Sequence, residues 1–132
     1  MTLRCLIVDD SPAVLRAASE LLEGQGVMVV GVAATGAEAL RLREELEPDV
    51  ILVDIDLGPE SGFDLARRLV DTPDRAGTRI ILISTHDGAD YANLIAAGPA
   101  IGFLPKTDLS ATAIHRLLAS ATPSEGIERG GM

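Results

Sequence analysis

The chain has 132 residues, of which 47% are hydrophobic and 23% are charged, and this size and composition favour one globular domain over a disordered chain. Its 20 acidic and 11 basic residues give a net charge of -9, so we expect no binding of nucleic acid by this chain alone. Apolar runs stay well below the roughly 18 residues of a membrane helix, and the N-terminus does not resemble a secretory signal, so we expect a cytoplasmic protein without a membrane partner.

Short aliphatic runs alternate with amphipathic segments along the chain. Runs rich in β-branched residues predict five strands. These strands cover Leu3 to Val8, Val27 to Val32, Val50 to Val53, Arg79 to Ile83, and Ile101 to Leu104. Apolar residues spaced three and four apart predict a helix after each strand. The helices are expected at about 12–24, 36–47, 62–70, 89–97 and 109–120, and residues 121–132 are expected to form a polar tail.

Regular alternation of apolar strands with helices is typical of a parallel sheet that helices cover on both faces. We therefore predict an α/β fold, with a doubly wound five-stranded parallel sheet in a three-layer α/β/α sandwich, formed by a single domain at 3–120. The one cysteine, Cys5, lies inside the first apolar run and is interpreted as a buried thiol of the core.

Polar residues follow the predicted strands at the end where doubly wound sheets bind ligands. These residues are Asp9 and Asp10, Asp54 and Asp56, Ser84 and Thr85, and Lys106. Each alone could be a helix cap, a turn residue or a solvated base. Together they bring three carboxylates near one another, and a divalent cation would relieve the repulsion. Oxygen ligands of this kind suit Mg²⁺, and with Lys106 and the ion the formal charges sum to zero.

The segments LIVDDSP, VILVDIDL, ILIST and GFLPK occur in this order at the predicted strand ends. In these segments the sequence resembles the receiver domain of two-component response regulators, over residues 3 to about 120. The resemblance implies a flavodoxin-like strand order 2-1-3-4-5. It also implies a phosphorylation-controlled signalling switch, not an enzyme, that receives its phosphoryl group from a histidine kinase or a small phosphodonor.

The same resemblance implies roles for individual residues, with Mg²⁺ as the cofactor and Asp54 as the phosphoacceptor. The implied ligands of the ion are Asp9, Asp10, Asp54 and the backbone carbonyl of Asp56. Ser84 and Lys106 are implied to contact the phosphoryl group, and Phe103 is implied to be the switching aromatic residue. The chemistry suits these residue types, because an ionised carboxylate can attack phosphorus without a general base. Phosphoryl transfer then depends mainly on positioning and on cations near the transferred oxygens.

Two positions depart from the pattern of the family. Many receivers have proline four residues after the phosphoacceptor, where this chain has Gly58 followed by Pro59, so we expect a different loop path. Thr85 stands where the family often has alanine or glycine. We interpret Thr85 and His86 as residues that tune access to the phosphoryl group, and we expect Thr85 to slow exchange with donors and water.

Other interpretations of the chain stay open. It could be the receiver fragment of a longer DNA-binding response regulator, or a docking module that never uses its phosphate site. The segment DIDLG around Asp54 is also similar to the motif of haloacid-dehalogenase-like phosphatases, with Asp56 as the acid. Against this, that family carries its motif on the first strand, whereas Asp54 follows the third.

A partner surface is expected beside Phe103, on helix four, strand five and helix five. Residues expected on it are Tyr91, Asn93, Ile101 and His115. The partners expected from the resemblance are a cognate histidine kinase and a downstream protein, and a homodimer is considered as a further arrangement.

Overall fold

A computed structural model of the chain describes residues 2–71, 77–85 and 92–130. Strands and helices alternate in it as β1 (Arg4–Val8), α1 (Pro12–Gly24), β2 (Met28–Ala33), α2 (Gly36–Leu46), β3 (Val50–Asp54), β4 (Asp56–Leu57), β5 (Glu60–Ser61), α3 (Gly62–Asp71), β6 (Arg79–Ser84), α4 (Ala92–Ala97), β7 (Gly102–Pro105) and α5 (Ala111–Gly130). A 3-10 turn at Lys106–Asp108 precedes α5. None of the helices in the described ranges is long and apolar enough to cross a membrane.

The large sheet contains five parallel strands in the order β2-β1-β3-β6-β7. Since β6 and β7 are its fourth and fifth strands along the chain, this is the flavodoxin-like order 2-1-3-4-5. Strand β3 is buried over its whole length, as expected when helices cover both faces of a parallel sheet. The predicted fold class is confirmed, and the predicted ends of these strands agree with the observed ends to within about one residue.

Two apolar clusters lie on opposite faces of this sheet, because successive side chains of a strand point to opposite faces. One cluster joins the sheet to α1 and α5 and includes Ile7, Leu22, Leu52, Ile81 and Ile114. The other joins it to α2 and α3 and includes Leu6, Ala39, Ile51, Leu65 and Leu82. Both faces of the sheet are thus filled with apolar side chains, and polar groups are left to the strand ends.

Cys5 belongs to the cluster on the α1 and α5 face and is fully buried. Burial raises the pKa of its thiol to about 12, and Sγ lies 3.8 Å from the Leu6 carbonyl oxygen. A thiol with this pKa stays protonated at neutral pH and is a poor nucleophile. The interpretation of Cys5 as a core residue is confirmed.

Helix α1 begins directly after the first pair of acids. Ser11 Oγ accepts a hydrogen bond from the Val14 amide at 3.3 Å, and Pro12 stands at the first helical position, where its fixed φ suits a helix. After the helix, Gly26 adopts a φ of +91°, which glycine tolerates without strain. The predicted start of this helix is confirmed, and it fixes the turn that carries Asp9 and Asp10.

The structure differs from the sequence prediction between β3 and α3 and at the C-terminal helix. Strands β4 and β5 form an antiparallel hairpin that was not predicted, because two-residue strands are too short to show an alternating pattern. Helix α5 begins at Ala111 instead of Leu109, since the 3-10 turn comes first. It continues to Gly130, past the predicted end at Ser120, and extending an existing helix requires no new nucleus. The domain boundary at residue 120 stays a prediction.

Part of the predicted fourth helix lies outside the described residues. This applies to its expected start at Ala89 and to Tyr91, and it also applies to His86 in the preceding loop. The described part of this helix is α4, which ends at Ala97 as predicted.

Candidate functional site

The carboxyl ends of β1 and β3 place Asp9 and Asp54 side by side. The two strands are parallel neighbours with Val8 opposite Val53, so the next residue of each strand lies at the same edge of the sheet. Both acids are buried, whereas Asp10 is exposed. One carboxylate oxygen from each of Asp9, Asp10 and Asp54 lies within 4.8 Å of the other two. The structure therefore brings together the three acids that the sequence placed near one another.

Lys106 follows β7 and reaches the same acids across the end of β6. Its Nζ lies 2.7 Å from Asp9 Oδ2 and 3.4 Å from Asp54 Oδ2. The contact with Asp54 is also a hydrogen bond. The shorter contact with Asp9 lacks hydrogen-bond geometry and is an ion pair, since Asp9 Oδ2 is buried and accepts no hydrogen bond from the described residues. One base is thus shared between two buried acids.

The second oxygen of each buried acid is held by the backbone. Asp9 Oδ1 accepts a hydrogen bond from the Ser11 amide at 2.9 Å, and Asp54 Oδ1 accepts one from the Asp56 amide at 3.2 Å. These bonds fix both carboxylates in their turns. Each acid consequently turns its Oδ2 atom toward Lys106.

The site is short of positive charge. Burial, and after it the charge of Asp9, raises the pKa of Asp54 to about 6, although Lys106 and the Asp56 amide act in the opposite direction. Burial alone would lower the pKa of Lys106, but the contact with Asp9 and the charges of Asp54 and Asp9 outweigh it, so this pKa is raised. The ionised form of Asp54 is therefore disfavoured in the absence of a cation.

The three acids fit a divalent cation such as Mg²⁺. An octahedral Mg²⁺ at about 2.1 Å from each oxygen sets two ligands at most about 4.2 Å apart, so a spread of 4.8 Å requires only a small inward movement. The buried Oδ2 of Asp9 forms an ion pair with Lys106 Nζ at 2.7 Å but accepts no hydrogen bond within the described residues, so its lone pairs suit coordination by a metal. Three carboxylates and one ammonium leave a formal charge of -2, which a divalent cation neutralises.

Ser84 and Thr85 lie at the same edge, at the end of β6. Asp54 stands opposite Ile83 in the sheet, and the Ile55 amide bonds to the Ile83 carbonyl oxygen at 3.0 Å, so Ser84 follows directly. Ser84 is buried and Thr85 is exposed. Thr85 and Lys106 also line a cavity of about 300 Å³ beside α1. Ser84 and Thr85 therefore both lie close to the acids, as predicted.

Phe103 and the predicted partner surface lie farther along the sheet. Phe103 stands opposite Leu82 on β7 and packs, half-buried, against the cluster on the α2 and α3 face. Asn93 and His115 are exposed and Ile101 is half-buried. The roles of these residues in switching and in partner binding stay predictions.

One glycine next to the site has a structural role. A Cβ on Gly62 would lie 2.2 Å from the Asp54 carbonyl oxygen, so only glycine fits where α3 begins beside β3. The sequence alone does not indicate this close approach, because Asp54 and Gly62 meet only in the folded chain.

Sequence reasoning missed a contact between Glu60 and Gly36. The Glu60 carboxylate accepts a hydrogen bond from the Gly36 amide, with Oε1 at 3.0 Å and Oε2 at 3.3 Å. The two residues are 24 positions apart, and an acid in a loop has no local signal that identifies such a partner.

The chain is similar to known proteins over most of its length. The family model described as response regulator receiver domain matches residues 5–118. A protein-glutamate methylesterase/protein-glutamine glutaminase of Idiomarina loihiensis is 36% identical over 110 residues, which are 80% of this chain and 28% of that protein. The chain spans 50% or less of the length of the first curated relatives that it matches.

Solved structures show the same architecture. The crystal structure of a LuxR-family two-component response regulator from Aurantimonas sp. SI85-9A1 is 30% identical with a TM-score of 0.79, covering 91% of this chain and 87% of that one. The signal receiver domain of a modulated diguanylate cyclase from Desulfovibrio desulfuricans G20 is 29% identical with a TM-score of 0.76, covering 97% and 99%. Both are similar to this chain over nearly its whole length.

Proposed function

Because the chain belongs to the response regulator receiver domain family, we propose that it is a phosphorylation-controlled switch that accepts a phosphoryl group on Asp54 with the help of Mg²⁺. The observation that carries the proposal is the setting of Asp54. This acid is buried at the carboxyl edge of the sheet, lies 3.4 Å from Lys106 Nζ, and shares a potential cation site with Asp9 and Asp10. Doubly wound sheets bind their ligands at this edge.

The orientation of Asp54 supports a role as nucleophile. Its Oδ1 is held by the Asp56 amide, while Oδ2 faces Lys106. In the proposed step, an Asp54 oxygen forms a bond to phosphorus as the bond between phosphorus and the donor's nitrogen or oxygen breaks. Since the carboxylate loses no proton, no general base is required.

The proposed roles of the neighbouring residues follow from charge. When bound, Mg²⁺ supplies positive charge to the oxygens of the transferred group. Its proposed ligands are Asp9, Asp10, Asp54 and the backbone carbonyl of Asp56. Lys106 would donate to a phosphoryl oxygen from its position beside Asp54, and Ser84 would bind another oxygen of the product. Phe103 is proposed to rearrange when Ser84 does.

We also propose the setting in which the switch works. The chain is proposed to act in the cytoplasm, with a cognate histidine kinase as the donor. A downstream protein is proposed to bind α4, β7 and α5, including Asn93, Ile101 and His115. The chain is proposed to promote only its own phosphorylation and dephosphorylation, and not to turn over a substrate. The haloacid-dehalogenase-like interpretation is not favoured, because the family match and the solved structures belong to receiver domains.

Intact mass after incubation with acetyl phosphate and Mg²⁺ tests the proposal. We expect one phosphoryl adduct on the wild type and none when EDTA replaces Mg²⁺. The variant Asp54→Asn should form no adduct, since an amide cannot replace the carboxylate as nucleophile, and its circular dichroism should match the wild type. No adduct on a wild type that also fails to bind beryllofluoride would contradict the proposal and favour a docking module independent of phosphate.

Thr85 is expected to slow phosphoryl exchange. It is exposed just beyond Ser84 and lines the same cavity as Lys106, so its side chain narrows the approach of donors and of water. In Thr85→Ala this obstruction is removed, so donors and water can reach the positions that phosphoryl transfer requires. Phosphorylation by acetyl phosphate and loss of the phosphoryl group should therefore both become severalfold faster. The matched control is Thr107→Ala, an exposed threonine next to Lys106. If both rates are unchanged in Thr85→Ala, the interpretation of Thr85 is wrong.

A further inference from the structure

The hairpin of β4 and β5 forms one side of the acidic site. Asp56 pairs with Ser61 and Leu57 with Glu60, and the Asp56 amide binds Asp54 Oδ1. The turn between the strands contains Gly58, with a φ of +63°. A Cβ on Gly58 would lie 3.4 Å from Asp10 Oδ2, so the turn is next to the exposed acid of the site. The position of this hairpin therefore sets the distance between Asp56 and the acids that follow β1.

Glu60 attaches the hairpin to the N-terminus of α2. The Gly36 amide is among the first of this helix, which have no partner within the helix itself. The Glu60 carboxylate accepts its hydrogen bond with both oxygens, at 3.0 and 3.3 Å, and a negative charge is favourable at this end of a helix. Glu60 packs so closely that a Cβ on Gly36 would lie 2.3 Å from Oε1.

The other amides of this turn have different partners. Thr35 Oγ1 accepts from the Glu38 amide at 3.2 Å, and Glu38 Oε1 accepts from the Ala34 amide at 2.9 Å. The Ala34 and Glu38 amides are therefore satisfied by side chains of the cap itself, without Glu60. The bond from Gly36 to Glu60 is a tertiary contact that joins the helix to the hairpin.

The turn before α2 leads back to the first acid of the site. The Asp9 amide donates to the Ala33 carbonyl oxygen at 3.0 Å, and Ala33 lies three residues before Gly36. A continuous set of contacts therefore runs from Asp9 through this turn to Glu60, and from the hairpin to Asp54. The bond from Gly36 to Glu60 is the last contact of this set, on the side of the site away from Lys106.

We propose that Glu60 is a positioning residue for the divalent cation. By holding the hairpin on α2, its carboxylate keeps the Asp56 backbone and the Gly58 turn at the distance from Asp9 and Asp10 that the ion requires. Glu60 does not touch the ion. The inference rests on the proposed function, because the cation is the one that phosphorylation of Asp54 would use.

The test separates the reach of the side chain from its charge. Glu60→Asp keeps the charge but is one methylene shorter and loses contact with Gly36. Glu60→Gln loses the charge but keeps an oxygen that can accept from Gly36. Affinity for Mg²⁺ is measured by isothermal titration calorimetry on the full chain, with urea unfolding in EDTA as the check of folding. The control is Glu44→Ala, at an exposed glutamate of α2.

We expect Glu60→Asp to weaken Mg²⁺ binding by about tenfold. This is the low end of the loss of affinity that is typical when a residue that orients metal ligands is mutated. Glu60→Gln should weaken it by less than about threefold, and the control by less than about twofold. The amide resonance of Gly36 should shift on addition of Mg²⁺ in the wild type, because coupling between two sites is reciprocal. This shift should be absent in Glu60→Asp.

Three results would overturn the inference. Equal losses of Mg²⁺ affinity in Glu60→Asp and Glu60→Gln would show that the reach of the side chain has no separate effect. An unchanged affinity in Glu60→Asp, even with lower stability, would make Glu60 a structural residue and would leave the proposed function intact. A wild type that binds no Mg²⁺ would overturn both this inference and the proposed function.

Discussion

In the absence of divalent cations, Asp54→Asn is expected to raise the free energy of unfolding at pH 8 by about 2–3 kcal/mol. Burial and the charge of Asp9 raise the pKa of Asp54 to about 6, so the folded protein holds an ionised carboxylate at a cost. Asparagine has nearly the same shape and keeps an oxygen that can accept the hydrogen bond of the Asp56 amide. The amide nitrogen that replaces Oδ2 cannot accept from Lys106 Nζ, so the variant also loses that hydrogen bond of 3.4 Å. Burial and the charge of Asp9 outweigh the contact with Lys106 in raising the pKa of Asp54, so removal of the charge should still stabilise the fold.

The effect should depend on pH in a defined direction. The pKa of Asp54 in the folded protein lies above the value of about 3.9 in an unfolded chain. Its protonated form therefore stabilises the fold below about pH 4, and this contribution is lost as the pH rises through about 6. Relative to the variant, the wild type should lose stability between about pH 4 and 6, and the difference should be constant above about pH 7.

Urea unfolding followed by circular dichroism, in EDTA at several pH values, measures this difference. The control Asp64→Asn changes an exposed acid of α3 that pairs with Arg67, and surface changes of this kind usually stay within about 0.5 kcal/mol. Addition of Mg²⁺ should reduce the difference in free energy of unfolding between the variant and the wild type, because a cation that binds the folded wild type stabilises it. An Asp54→Asn variant that is no more stable than the wild type at pH 8 would show that the site is not short of positive charge.

The position of the acidic site could be predicted from the sequence because of a general property of parallel sheets. Strands that run in the same direction end at the same edge, so the residues at the carboxyl ends of β1, β3 and β6 must be neighbours if those strands are adjacent. This property predicts that Asp9, Asp54 and Ser84 lie together. The long side chain of Lys106 extends the same argument to β7.

The hairpin and its attachment to α2 could not be predicted in this way. Strands β4 and β5 have two residues each, which is too few for a periodic pattern. The bond from Gly36 to Glu60 depends on the tertiary placement of α2 next to the loop after β3. Likewise, the pattern of α5 located a helix but not its end, since its continuation past Ser120 is not marked by apolar spacing.

Gly62→Ala is expected to destabilise the protein by more than about 3 kcal/mol. The added Cβ would lie 2.2 Å from the Asp54 carbonyl oxygen and 2.7 Å from the Ile55 Cα. These are backbone atoms of β3 and of the residue after it, which cannot move aside as a flexible side chain can. Helix α3 would have to withdraw, breaking the hydrogen bond from the Gly62 amide to the Ile55 carbonyl oxygen at 2.8 Å.

The same withdrawal should displace Asp54, so the affinity for Mg²⁺ should fall along with stability. Urea unfolding and Mg²⁺ titration of the variant measure the two effects. Gly24→Ala is the matched control, because its added Cβ would have no atom within 4 Å and its φ is not in the left-handed region. At this helical position alanine should be neutral or stabilise by up to about 1 kcal/mol. A Gly62→Ala variant that loses less than about 1 kcal/mol would mean that β3 and α3 can separate at little cost, and the close contact would then not be what holds Asp54 in place.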